Sequence, residues 1–288
     1  MFEDFERAAV DTGEATIRVC HGGSGPGLLL LHGHPQTHVM WHRVAPRLAA
    51  DFTVVTADLR GYGESSKPPT TADHEPYSKR AMARDGVAVM RELGFERFAV
   101  AGHDRGARVA YRLALDHPER VERLAVLDIV PTAEMWRRVD MEFGLVDWHW
   151  FFLAQPQPFP EEVIGANPDA FYFRGDTGRF DPEALAAYRR SVRDPATIHA
   201  MCEDYRAGAT IDRELDEADR GKRRIECPVL ALWSGRDELG RWFDVLSVWR
   251  DWADDVRGRA VDCGHYLAEE ASDDVYDELR AFFVPDAL

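Results

Sequence analysis

Five short apolar runs punctuate the chain, and each ends in glycine or polar residues. Gly25–Leu31 (GPGLLLL) ends in His32-Gly33, and Phe52–Ala57 (FTVVTA) ends in Asp58-Leu59-Arg60-Gly61. Phe98–Ala101 (FAVA) ends in Gly102, Leu124–Leu127 (LAVL) in Asp128, and Pro228–Trp233 (PVLALW) in Ser234-Gly235. Runs this short and this continuously apolar fit parallel strands buried on both faces. Helical patterns such as Arg80–Leu93 and Arg105–Asp116 lie between them. Strands alternating with helices predict an α/β fold with a mostly parallel central sheet flanked by helices. The chain has 288 residues, 45% of them apolar, which is ample for one such core.

The rhythm breaks between Thr132 and Gly221. That segment is rich in aromatic and acidic residues, shows helical patches and contains no convincing strand. It reads as a helical cap inserted after the strand that ends at Asp128. The expected division is therefore a first core part over 1–131, a cap over 132–221 and a second core part over 222–288. Acidic residues exceed basic ones, 51 to 35, for a formal charge of −16. Such a surface argues against nucleic acid and against anionic membrane as partners. No apolar run approaches the ~18 residues of a membrane span, and the acidic N-terminus lacks a signal-peptide pattern. Cys20, Cys202, Cys227 and Cys263 form no C-x-x-C pair, so a metal or redox site is not expected and buried thiols in the cytoplasm are.

The chemistry concentrates at strand ends. Gly102-His103-Asp104-Arg105-Gly106 follows a buried strand and opens a helix. This is the G-x-nucleophile-x-G form of the nucleophile elbow, with Asp where hydrolases usually carry Ser. The loop His32-Gly33-His34-Pro35 follows an earlier strand. In this architecture one oxyanion-hole donor comes from that loop and another from the residue after the nucleophile, here the N–H groups of His34 and Arg105. His265, in Gly264-His265-Tyr266, follows the last strand-like run, where the base belongs. Asp128 and Asp237 each follow a strand, and spacing leaves both open as the acid that orients it.

Arg105 and Arg108 share a face at the start of the helix after Asp104. Two buried guanidinium groups there need an anion. A substrate carboxylate supplies one, because it accepts guanidinium hydrogen bonds in pairs, and the helix N-terminus adds to the field.

The motifs HDRGARV (103–109), LHGHPQTHVMWHRV (31–44), LDIVPT (127–132), WHWFFLAQP (148–156), CEDYRAGA (202–209) and GHYLAEE (264–270) resemble, essentially end to end, the haloacetate dehalogenases of the α/β-hydrolase superfamily, fluoroacetate dehalogenases in particular. The resemblance implies Asp104 as nucleophile, His265 as base and Asp128 as its orienting acid. It implies Arg105 and Arg108 as the carboxylate-binding pair, and His149, Trp150 and Tyr205 as donors to the departing halide. It also implies a homodimer, and no metal or organic cofactor is needed. Imidazole N–H, indole N–H and phenol O–H are the donors that a poor leaving group such as fluoride requires.

Two positions depart from the family pattern. The stretch Asp169–Pro182 (DAFYFRGDTGRFDP) is short and lacks the tryptophan that faces substrate in fluoroacetate-active relatives, which leaves Phe171, Tyr172 or Phe173 to stand in. His34 replaces a phenylalanine common among relatives. An epoxide hydrolase is the alternative, with Tyr172, Tyr188 or Tyr205 as acids, although it gives the arginine pair no role. A catalytically silent binding protein on the same fold is the third reading.

Overall fold

The computed structural model describes residues 1–175 and 177–284. Asp176, inside the short cap stretch, and residues 285–288, at the end of the second core part, lie outside the described residues. The strands are β1 (Glu6–Asp11), β2 (Thr16–Gly23), β3 (Gly27–Leu31), β4 (Thr53–Ala57), β5 (Phe98–His103), β6 (Val121–Leu127), β7 (Val229–Ser234) and β8 (Val256–Val261). They form one sheet in the order β1-β2-β4-β3-β5-β6-β7-β8. β1 pairs antiparallel with β2, and β2 antiparallel with β4; every later pairing is parallel.

All five apolar runs are strands, and the most apolar lie at the centre. β3 and β5 are buried at every position because helices cover both faces. The chain ends of β3, β5, β6 and β7 therefore open onto one edge of the sheet, where ligands bind in such folds. β1 (ERAAVD) escapes an apolar-run criterion because it is an edge strand with a single buried residue, and β2 (TIRVCHGG) escapes it because apolar and polar side chains alternate along it.

Between β6 and β7 the chain runs through helices only, from Thr132–Arg138 to Ile211–Asp219, among the described residues. Their apolar sides join the core through Phe143, Trp150, Leu153, Ile164, Tyr188 and Met201. Cys20, Cys202 and Cys263 are buried, Cys227 is half-buried, and all four are free thiols. No helix of the described residues is long and apolar enough to cross a membrane.

Candidate active site

Asp104 stands between the end of β5 and the helix Arg105–Asp116, at φ +48° and ψ −116°. A side chain in that region costs about 1–3 kcal/mol of backbone strain, which the surrounding packing must impose. Glycine permits the turn: a Cβ on Gly102 would lie 2.4 Å from the Gly106 carbonyl oxygen, and one on Gly106 would lie 2.4 Å from that of His32. The Asp104 N–H donates to the Leu127 carbonyl at 3.1 Å, tying the elbow to β6. Its carboxylate Oδ1 accepts from the backbone N–H of His34 at 2.9 Å. Burial acts to raise the Asp104 carboxyl, but His265, His103, Arg105 and Arg108 hold it well below the usual carboxylate range. A buried carboxylate that stays ionised at the N-terminus of a helix is equipped to attack an electrophile.

His265 Nδ1 lies 2.6 Å from Asp128 Oδ2. Asp128 also has a positive φ, +58°, and its Oδ1 accepts from the Ser234 N–H at 2.8 Å. That bond fixes the carboxylate to β7 and leaves the other oxygen for the imidazole. Burial works against a charged His265, yet the hydrogen bond and charge of Asp128, with Asp104 and Asp237, push it up to about 9. Asp128, Asp237 and His265 offer ligand atoms within 4.8 Å of one another. Burial raises Asp237, and the neighbouring Asp128 adds to that. The His103 ring packs 4.6 Å from that of His265, and its Nε2 lies 2.7 Å from the His265 carbonyl oxygen.

The two arginines differ, and the sequence argument treated them alike. Arg105 has an anion from the protein itself: Asp204 accepts from Nη2 at 2.7 Å and from Nε at 3.0 Å. Its charge is compensated by Asp204, while its Nη1 is buried without a partner and stays free to meet a ligand. Arg108 is buried, donates to the Val130 carbonyl at 3.1 Å and to Thr132 Oγ1 at 3.2 Å, and meets no carboxylate among the described residues. Its Nε is buried without a partner. Burial lowers its affinity for the proton, and the neighbouring Arg105 lowers it further. Asp204 was overlooked because a sequence shows that a buried arginine needs an acid without showing which acid meets it.

A cavity of about 360 Å³ joins these groups to the cap. Asp104, Arg108, Asp128 and His265 form its floor on the sheet side; His149, Trp150, Phe171, Tyr172 and Tyr205 line it from the cap. Arg105 is absent from its lining. The Trp150 ring lies 4.7 Å from the Arg108 guanidinium, and the Tyr205 ring 4.2 Å from that of Arg105. Trp150 Nε1 and the Tyr205 hydroxyl donate to no protein group among the described residues. Burial pushes His149 down to about 4 and His34 down to about 3, so both rings are neutral. In the short cap stretch, Phe171 and Tyr172 reach the cavity, whereas Phe173 packs against Phe180 instead. His34 stands edge-on to both Tyr172 and Tyr205, at 5.2 Å each. Tyr188 is elsewhere, bonded to Glu269. Asp147 and Arg174 also line the cavity and were not singled out from the sequence; burial pushes Asp147 up to about 6.

An alpha/beta hydrolase fold family model matches residues 26–272. The chain is 52% identical, over 98% of its length and 95% of the other's, to a fluoroacetate dehalogenase of Burkholderia sp. The chain belongs to that dehalogenase family of the alpha/beta hydrolases. It is an enzyme by that membership. The family also borders the epoxide hydrolases: the soluble epoxide hydrolase of Corynebacterium sp. (strain C12) is 34% identical over 91% of this chain and 92% of its own. Among solved structures, an alpha/beta hydrolase-type protein from Nostoc sp PCC 7120 superposes with a TM-score of 0.97 at 54% identity, covering 99% of this chain and all of that one. The cap as well as the sheet is thus shared with a known structure.

Proposed function

We propose that the chain hydrolyses haloacetates such as fluoroacetate or chloroacetate to glycolate and halide. One observation carries this reading: the buried Arg108 guanidinium stands on the cavity floor with Asp104 and forms an ion pair with no carboxylate among the described residues. A substrate carboxylate on Arg108 sets the α-carbon beside Asp104. Asp104 displaces the halide, forming the glycolyl ester as the carbon–halogen bond breaks. Neutral His149, Trp150 and Tyr205 donate to the departing halide. His265, oriented by Asp128, then takes a proton from water, which attacks the ester carbonyl. The N–H groups of His34 and Arg105 stabilise the resulting oxyanion. The His34 N–H already donates to the carboxylate oxygen that becomes that carbonyl. Arg105, held by Asp204 through Nε and Nη2, has its buried Nη1 left to add a second hydrogen bond to the substrate carboxylate. A cytoplasmic homodimer belongs to the same reading. The free thiols support the location, and the exposed apolar cap residues Met141, Leu145 and Phe159 support the assembly.

Epoxide hydrolysis is the second reading, favoured by Tyr172 and Tyr205 flanking His34 in the cavity lining. Halide and product release with fluoroacetate, chloroacetate, 2-chloropropionate and styrene oxide separates the two. Halide release from the haloacids with no diol from the epoxide is expected. Diol formation without halide release would replace dehalogenation by the second reading.

A further inference from the structure

The cavity must admit an anion into a protein of formal charge −16. Its lining adds to the difficulty, because Asp147, Asp237 and Glu238 stand on the walls together with Asp104 and Asp128. Against them the lining holds two arginines. Arg108 is buried on the floor. Arg174 is exposed, follows the helix Pro168–Tyr172, and shares the cavity with Trp148 and Phe171.

Three observations set Arg174 apart from an ordinary surface arginine. It forms no ion pair among the described residues, although this acidic chain pairs most of its other arginines. Its guanidinium is held 5.1 Å from the centre of the Trp148 ring, which packs at 5.7 Å on Phe171, so the cation rests on an aromatic surface that cannot neutralise it. It is also close enough to His149 for its charge to disfavour the imidazolium, so it acts on the cap side of the same cavity.

We propose that Arg174, seated on Trp148, forms an outer carboxylate subsite that captures the small carboxylate substrate at the cavity mouth before Arg108 receives it on the floor. This inference rests on the dehalogenase reading of the site. A guanidinium binds a carboxylate through paired hydrogen bonds, whereas its ring contact uses only the face of the group. The edge therefore stays available while the face is stacked. An exposed cation on an acidic approach also focuses the field along the path of an incoming anion, an effect that salt screens within about 8–10 Å at ordinary ionic strength.

The test compares Arg174→Gln, Arg174→Lys and wild type in kcat/KM for chloroacetate between 10 mM and 500 mM salt. The glutamine variant is expected to lose about tenfold at low salt and to approach wild type at high salt, with most of the loss in KM. The lysine variant keeps the charge and is expected to recover at least half of the effect. Glycolate inhibition gives a readout independent of turnover: its inhibition constant for wild type should weaken with salt more steeply than for the glutamine variant. A merely structural role would lower kcat/KM by the same factor at every salt concentration. Parallel salt profiles for wild type and Arg174→Gln would overturn the subsite. Absence of halide release by wild type would instead overturn the dehalogenase reading on which it stands.

Discussion

Asp204 binds Arg105 through both carboxylate oxygens, and the same carboxylate accepts from the Tyr62 hydroxyl at 2.6 Å and from Lys79. Asp212 meets Lys79 from the other side at 3.3 Å. The first residue of the helix after Asp104 is thus tied to the cap helix Pro195–Ala209 through charges that are all buried. Removing Asp204 leaves Arg105 buried without compensation, while Lys79 keeps Asp212, a loss of about 3–5 kcal/mol. Asp204→Asn is expected to lose stability of that order in urea unfolding. A loss below about 1 kcal/mol would mean that the pair does not couple cap to core.

Arg108 and Arg105 should fail in different ways. Arg108→Leu removes a buried cation that has no protein anion. It should lower kcat/KM for haloacetate by about 10²–10³-fold, from the loss of a desolvated ion pair, with little cost in stability. Arg105→Leu strands Asp204 and should lower the unfolding midpoint markedly. Matching losses of stability in the two variants would contradict the asymmetry between them.

His265 controls the second half of the proposed cycle. In His265→Asn, alkylation of Asp104 should proceed and hydrolysis should stop, leaving one equivalent of halide and an adduct on the Asp104 peptide by mass spectrometry. An unmodified peptide, with a substrate that wild type turns over, would reverse the order of roles.

The raised affinity of His265 for its proton gives a pH prediction. Free enzyme holds the imidazolium up to about pH 9, partly through the charge of Asp104. Esterification removes that charge, so the base should titrate lower in the intermediate than in free enzyme. Single-turnover ester hydrolysis should therefore rise with pH along a limb centred below 9, while NMR of the free enzyme should find His265 titrating at about 9. Coincident midpoints would show that the two carboxyl groups are not coupled through the imidazole. Because the folded value exceeds the unfolded one of about 6.5, this pairing stabilises the fold fully below pH 6.5 and ceases to do so as pH rises through 9.

Trp150→Phe keeps a ring against Arg108 and removes one N–H from the cavity. Fluoride concentrates its charge and depends most on short hydrogen bonds. Defluorination should fall at least about tenfold more than dechlorination, corresponding to roughly 1.5–3 kcal/mol for one donor. Equal losses in chemistry-limited single turnovers would remove Trp150 from the halide site.

The elbow was legible in the sequence because each of its requirements is local: an apolar strand, a glycine on either side of Asp104, then a helix. His265 was legible because chain order places it after the last strand. The choice between Asp128 and Asp237 was not legible in spacing, since both follow strands; the family resemblance pointed to Asp128, whose Oδ2 lies 2.6 Å from His265 Nδ1. Partners supplied by the cap were harder still. Asp204 lies on the cap helix Pro195–Ala209, while Asp147 and Arg174 lie just past helix ends; their polar groups meet Arg105 or the cavity only after the cap has docked. The edge strand β1 carries little apolar signal because water replaces a helix on part of its surface.

Asp104 and Asp128, both at positive φ, occupy equivalent places in the sheet. His103 of β5 is in register with Leu127 of β6, so each carboxylate is the first residue past the same rung of a parallel pair. The sheet therefore acts as a ruler between nucleophile and acid, graduated by the spacing of neighbouring strands at about 4.8 Å. A cap of different length or composition leaves that graduation untouched. Grafting a foreign cap between Pro131 and Lys222 would accordingly exchange the halide donors and the Arg105 partner while leaving nucleophile and acid at their spacing, whereas a single inserted residue in β5 or β6 would slide one mark past the other.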